Sequence, residues 1–331
     1  MVASENAPGV FSSPVAVGQH YNCENGSPAN AVANDGSGDV FIYGPNLYVS
    51  HDGGKSFAAD PQPGTVLGLA AIGTSVWLLE VGCVQGQPSC QLHLFLSNDG
   101  GRTFLEDGSL PTVLLPSGRL YQYSTAAPWL LRANANQGYV LVPPSIGTST
   151  AAEPQVERIY YTPDGGTDWS SSELSACAIA SYVDVAVDPQ GTLMAACAGQ
   201  PGAGSQGKAI LNSADHGATW TTSVDCLLVN TVCGQSGFGG GYVNSLAFPS
   251  PTTAFLGVER GQLLMSEDGG TSWHYAPGSA ADAWDVSESA FFGSTGYLFG
   301  SFGVGGGPAS IWTTSDLGQS WSRVPVKLAP G

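Results

Sequence analysis

The chain has 331 residues, of which 11% are charged: 9 Lys and Arg stand against 26 Asp and Glu, a formal net charge of −17. That balance works against nucleic acid and anionic membrane surfaces, whose binding needs clustered basic side chains. No stretch reaches the roughly 20 apolar residues of a membrane span, and 46 Gly and 22 Pro without a sustained helical period predict an all-β chain with many tight turns.

Met1 leads directly into polar sequence, the pattern expected of an exported chain whose leader has been replaced by Met. Residues 1–27 are expected to lie against the last repeat as a closure. Three strands are then expected in ANAVAND, DVFIYG and NLYVS, ahead of the string SHDGGKSF at Ser50. A second unit reads VLGLAAI, SVWLLEV and QLHLFLS before SNDGGRTF at Ser97. A third, entered through a longer segment from Leu105 to Tyr123, reads WLLRANA, GYVLVPP and RIYYT before TPDGGTDW at Thr162. YVDVAVD, TLMAACA and KAILNS precede SADHGATW at Ser213. YVNSLAF, TAFLGVE and QLLMS precede SEDGGTSW at Ser266, and AWDVSES, GYLFGSF and SIWTT precede TSDLGQSW at Thr314. A fourth strand should follow each string.

The six strings share one pattern: a hydroxyl residue, Asp two positions on, Gly two further, and an aromatic five after the Asp. The Asp residues (Asp52, Asp99, Asp164, Asp215, Asp268, Asp316) are spaced by 47, 65, 51, 53 and 48 residues, a period that marks a repeat architecture. As a hairpin turn the pattern makes physical sense. The Asp accepts hydrogen bonds from turn N–H groups, and the Gly supplies a left-handed backbone position. The aromatic (Phe57, Phe104, Trp169, Trp220, Trp273 or Trp321) plugs the space between neighbouring sheets. The six carboxylates are therefore structural, and the calcium-loop spacing that ends in Glu is absent.

These strings resemble the Asp-box (BNR) repeat of the sialidase-like superfamily, in which the box is the turn between the third and fourth strands of a propeller blade. The resemblance implies one domain over residues 1–331, a six-bladed β-propeller of four-stranded antiparallel blades, with seven blades as the alternative. It also implies that function sits on the face opposite the boxes, in a central pocket. Such repeats occur in glycosidases, receptors and assembly factors alike, so they do not select an activity. The resembling sialidases clamp a substrate carboxylate with three arginines, the first of them ahead of the first box. No Arg precedes Arg102 here, so standard sialidase chemistry is not expected.

On the expected functional face, strand starts and second-to-third-strand loops offer candidates. Asp184, Asp285 and Glu259 are candidate catalytic carboxylates, since paired carboxylates can hydrolyse a glycoside as acid and base. Tyr182, Tyr242, Asn244, Trp284, Arg260, Glu80, Tyr121 and Tyr123 are candidate ligand-binding residues, with aromatics for stacking on sugar faces and polar groups for their hydroxyls. The seven cysteines include three local pairs, Cys83 with Cys90, Cys177 with Cys197 and Cys226 with Cys233, of the kind found in oxidising compartments. Without CxxC or His at ligand spacing, no metal and no cofactor are expected. The five histidines are scattered. The expectation is a secreted, cell-surface or periplasmic monomer that binds a carbohydrate or similar polar ligand, with glycoside-hydrolase-like activity as the enzymatic option. The alternative is a non-enzymatic scaffold for a protein partner.

Overall fold

A computed structural model describes residues 5–7, 10–11, 31–34, 38–44, 46–84, 87, 89–107, 109–116, 128–142, 157–202, 204–227, 238, 240–261, 263–277, 283–302 and 309–324. Six antiparallel sheets are the four-stranded blades of a six-bladed β-propeller. The chain divides into two compact units, Met1–Glu173 with Lys327–Gly331 and Leu174–Val326, each with three blades.

The first unit opens with a hairpin of β1 (Glu5–Ala7) and β2 (Val10–Phe11), which pair with each other. Most of the expected closure segment 1–27 lies outside the described residues. Blade 1 is β3 (Ala31–Asn34), β4 (Val40–Tyr43), β5 (Leu47–Ser50) and β6 (Ala58–Asp60). Blade 2 is β7 (Thr65–Ile72), β8 (Ser75–Cys83), β9 (Ser89–Ser97) and β10 (Leu105–Asp107), and β11 (Leu114–Pro116) extends its edge by pairing with the start of β9. Blade 3 is β12 (Trp129–Arg132), β13 (Gly138–Val142), β14 (Arg158–Thr162) and β15 (Ser170–Glu173).

The second unit begins with a 3-10 turn, Ser175–Cys177. Blade 4 follows as β16 (Tyr182–Val187), β17 (Leu193–Ala198), β18 (Lys208–Ser213) and β19 (Thr221–Cys226). Blade 5 is β20 (Tyr242–Ala247), β21 (Ala254–Glu259), β22 (Leu264–Ser266) and β23 (His274–Tyr275). Blade 6 is β24 (Ala283–Phe292), β25 (Thr295–Phe302), β26 (Ala309–Thr314) and β27 (Ser322–Val324). Every strand expected ahead of a signature is present.

All six signatures form the same turn. In the first, Gly54 N–H donates to Ser50 Oγ at 2.8 Å, and that hydroxyl donates onward to Asp52 Oδ1 at 2.7 Å. Asp52 also accepts from the N–H groups of Lys55 and Ser56, each at 2.9 Å, and from Ser56 Oγ at 2.6 Å. The relay recurs through Ser97, Thr162, Ser213, Ser266 and Thr314, all buried. A buried hydroxyl needs a donor and an acceptor, and the Gly–hydroxyl–Asp chain supplies both.

In four of the signatures the closing aromatic packs against the preceding blade of the same unit. Phe104 packs on Phe41, Leu47 and Val49 of blade 1, and Trp169 joins the cluster of Leu79, Leu92 and Leu94 in blade 2. In the second unit Trp273 packs with Met194 and Ile210 of blade 4, and Trp321 with Phe255 and Met265 of blade 5. Close approach also explains the glycine. A Cβ on Gly101 would run into the Phe41 ring, and one on Gly318 into Phe255.

Burial follows strand position. The second strands, covered on both faces, read as near-continuous apolar runs; all six residues of β17 are buried. The fourth strands are short and largely polar and exposed, as in the SSSE of β15, which suits a solvent edge.

Candidate functional site

The turns fix which end of each blade is which. Gly53 donates its N–H to Gly38 O (3.0 Å), Gly100 to Thr74 O (2.9 Å), Gly165 to Asn136 O (2.8 Å), Gly269 to Thr252 O (2.8 Å) and Leu317 to Ser294 O (3.0 Å). Each acceptor lies between the first and second strands of its own blade. The signature turns and the first-to-second loops therefore share one end, leaving the second-to-third loops and the blade-to-blade links at the other.

At that other end of the second unit, several candidates meet one another. Asp184 Oδ2 accepts the N–H of Leu246 at 2.8 Å, Tyr182 OH donates to Asn244 O at 3.4 Å, and Asn244 Nδ2 donates to Val286 O at 3.3 Å. These three side chains lace the first strands of blades 4, 5 and 6 together. Tyr242, Glu259 and Arg260 form a second group. Tyr242 OH accepts from Gly204 N–H at 3.0 Å, the Arg260 guanidinium lies 5.6 Å from the Tyr242 ring centroid, and Arg260 Nε is 3.8 Å from Glu259 Oε1. Arg260 holds a left-handed φ of 56°. Beside them Lys208 is fully buried, and its ammonium donates to the carbonyls of Gln206, Phe238, Gly240 and Gly241 at 2.7–3.0 Å. Burial lowers its pKa to about 8, which leaves it cationic at neutral pH.

Trp284 and Asp285 lie on β24 by backbone, but their side chains, like all of Tyr121 and Tyr123, are outside the described residues. Two expected disulfides are present, Cys83–Cys90 and Cys177–Cys197. Cys226 is disulfide-bonded as well, and Cys233 is outside the described residues.

Glu80 requires a correction. The sequence placed it in a second-to-third loop, whereas it sits inside β8 at 2% exposure. Pairing with β9 continues to Cys83 opposite Cys90, where the disulfide pins the hairpin, so the strand outlasts its apolar run. Glu80 lines a groove of about 530 Å³ in the first unit, together with His93, Phe95, Glu106, Gln91 and the Cys83 end of the hairpin. Pro63, Val84 and Leu114 give it an apolar rim.

The groove is assembled by register. Glu80 and His93 are direct cross-strand partners, and Glu106 lies opposite Phe95, two residues along from His93. His93 Nδ1 meets Glu106 Oε1 at 2.6 Å. Glu80 takes a hydrogen bond from the Gly64 amide, and a Cβ on Gly64 would press within 2.6 Å of Glu80 Oε1. The other oxygen, Oε2, is buried with no hydrogen-bond partner among the described residues. Desolvation raises the Glu80 pKa; the Gly64 amide and His93 pull it down, and Glu106 adds to the rise. A carboxylate with a donorless, buried oxygen, on a residue that lines an open groove, has binding capacity left over.

Sequence reasoning passed over His93, Glu106 and Lys208. The available signals were a polar residue in the alternating run QLHLFLS and a lysine opening an otherwise apolar strand. Among the described residues no group of three His, Cys, Asp or Glu is placed to hold a metal ion, and no helix is long and apolar enough to cross a membrane.

No protein-family model matches the chain, and no curated protein matches it. Solved structures do match in fold. The β-propeller domain of the Trilobed protease from Pyrococcus furiosus aligns with a TM-score of 0.51 at 9% identity, covering 89% of this chain and 83% of that one. YCF48 bound to D1 peptide aligns with a TM-score of 0.50 at 12% identity, covering 89% and 81%. The α-L-arabinanase of Penicillium chrysogenum, complexed with arabinobiose, aligns with a TM-score of 0.50 at 13% identity, covering 88% and 93%. At such identities the likeness is one of fold.

Proposed function

We propose that this chain is an exported Asp-box propeller that binds a carbohydrate-like polar ligand, and that the blade 2 groove is its site. The observation that carries the reading is Glu80, a buried carboxylate with one oxygen unpartnered among the described residues, lining a groove large enough for a sugar. Phe95 and Pro63 offer apolar surface to sugar C–H faces, while Glu106, Gln91 and Gln87 offer hydrogen-bonding groups to hydroxyls. The central pocket expected from the sequence is less favoured, because Asp184 and Asn244 use hydrogen-bonding capacity on neighbouring strands. The disulfides support an oxidising compartment. That a propeller of this fold was solved with arabinobiose makes a sugar a natural ligand to test.

Titration calorimetry on the disulfide-intact protein with neutral, amino and acidic oligosaccharides tests the proposal. At least one sugar should bind, and Glu80→Gln should weaken it by about tenfold or more, in line with a charge-assisted hydrogen bond, with the thermal midpoint retained. Binding by none, or undiminished binding in Glu80→Gln, would contradict it. Hydrolysis is checked in the same panel: unchanged turnover in both Asp184→Ala and Asp285→Ala removes those carboxylates from any catalytic role.

The scaffold alternative has one observation in its favour. Val84 and Leu114, at 70% and 61% exposure, stand at the rim of the same groove, an apolar surface that a protein partner could cover. If the sugar panel is silent, that rim is the place to mutate.

A further inference from the structure

The groove's chemistry narrows the ligand further. We propose that it selects a sugar carrying a primary ammonium, an amino sugar in its free-amine form, over the neutral or N-acylated counterpart; this rests on the carbohydrate-binding reading above. The side chains around the groove hold two carboxylates, Glu80 and Glu106, one imidazole, His93, and neither Lys nor Arg among the described lining residues. Glu106 has a partner in His93, whereas the oxygen of Glu80 that faces no donor is the buried one. An ionised carboxylate held out of water is destabilised until a donor, and best a positive charge, reaches it. A neutral hydroxyl supplies one donor. An ammonium supplies three donors and the compensating charge, and it can span Glu80 and a second acceptor at once. An acidic sugar meets repulsion from both carboxylates and from a chain of net charge −17. A divalent cation is a poorer occupant, because no metal-holding group of three is present among the described residues.

The apolar half of the groove argues for a sugar in preference to a simple amine. Phe95 is half-buried and Pro63, Val84 and Leu114 stand at the rim, so a pyranose ring can lay its C–H face there while its amino group turns to Glu80.

The test compares a fully deacetylated glucosamine tetramer with its fully N-acetylated counterpart by calorimetry at about pH 6, above the ordinary carboxylate range. The free-amine sugar should bind at least about tenfold more tightly, and added salt should weaken it selectively. Glu80→Gln should abolish the preference, and Glu106→Gln, at a more exposed carboxylate, should reduce it by less. The Glu106 variant keeps the test decisive if Glu80→Gln fails to fold. Equal or tighter binding of the acetylated tetramer overturns this inference and leaves the carbohydrate reading intact. Failure of both tetramers, and of every sugar in the wider panel, overturns both. A preference that survives Glu80→Gln in a folded protein overturns the assignment of Glu80.

Discussion

At the scale of single residues, the six turns repeat one solution with two instructive exceptions. The position after the Asp takes a left-handed φ in each turn, and it is Gly53, Gly100, Gly165 and Gly269 in four of them. In the other two it is His216 at φ 60° and Leu317 at φ 54°. An L-residue held there costs about 1–2 kcal/mol, part of which glycine gives back through its greater freedom in the unfolded chain. Leu317→Gly and His216→Gly should therefore each stabilise by about 0.5–1 kcal/mol, read as a raised urea midpoint at constant m. The turn carboxylates are also held low. Hydrogen bonds from the Thr219 and Ser320 side chains lead in lowering Asp215 and Asp316 to about 2. Asp164 is lowered too, through the Asp168 N–H, although its neighbour lacks a hydroxyl.

At the scale of elements, the sequence was most legible where a repeat imposed order. The strands of β16 through β18 could be read from YVDVAVD, TLMAACA and KAILNS because the turn at Ser213 anchored the count and the second strand was apolar throughout. The groove was not legible, because Glu80, His93 and Glu106 come from three strands and meet only through register. A one-residue slip would send each to the opposite face. Asp184 was legible as a polar strand start, but its partner, the Leu246 N–H of the next blade, belongs to packing between sheets. Lys208 illustrates the same limit: its four carbonyl acceptors come from residues 206, 238, 240 and 241. Lys208→Met keeps the stem and removes the charge-assisted bonds, so it should destabilise by about 3 kcal/mol. Urea denaturation checks this, and a loss below about 1 kcal/mol would show that the ammonium holds the loop and link together only weakly.

At the scale of the whole molecule, opposed titrations set the pH of greatest stability. The turn aspartates have folded values below the unfolded value of about 3.9. Their contribution is complete above that pH and is lost as pH falls towards about 2. Glu157 runs the other way: burial raises it to about 6, so its contribution is present at low pH and is lost as pH rises from about 4 to 6. Glu80 is shifted in the same direction. Repulsion within a chain of net charge −17 also grows as the carboxylates ionise. The thermal midpoint should therefore peak at about pH 4–5, between the two sets of titrations, and decline on both sides; a maximum at neutral pH would contradict this account.

The central claim is that the working site is the blade 2 groove, at the end of the blade away from the turns that dominate the sequence. A crystal structure of the protein soaked with the glucosamine tetramer tests it most directly. The account predicts a sugar seated against Phe95, with its ammonium in hydrogen-bond contact with the Glu80 carboxylate. A sugar bound elsewhere, with the groove empty beside it, would contradict it.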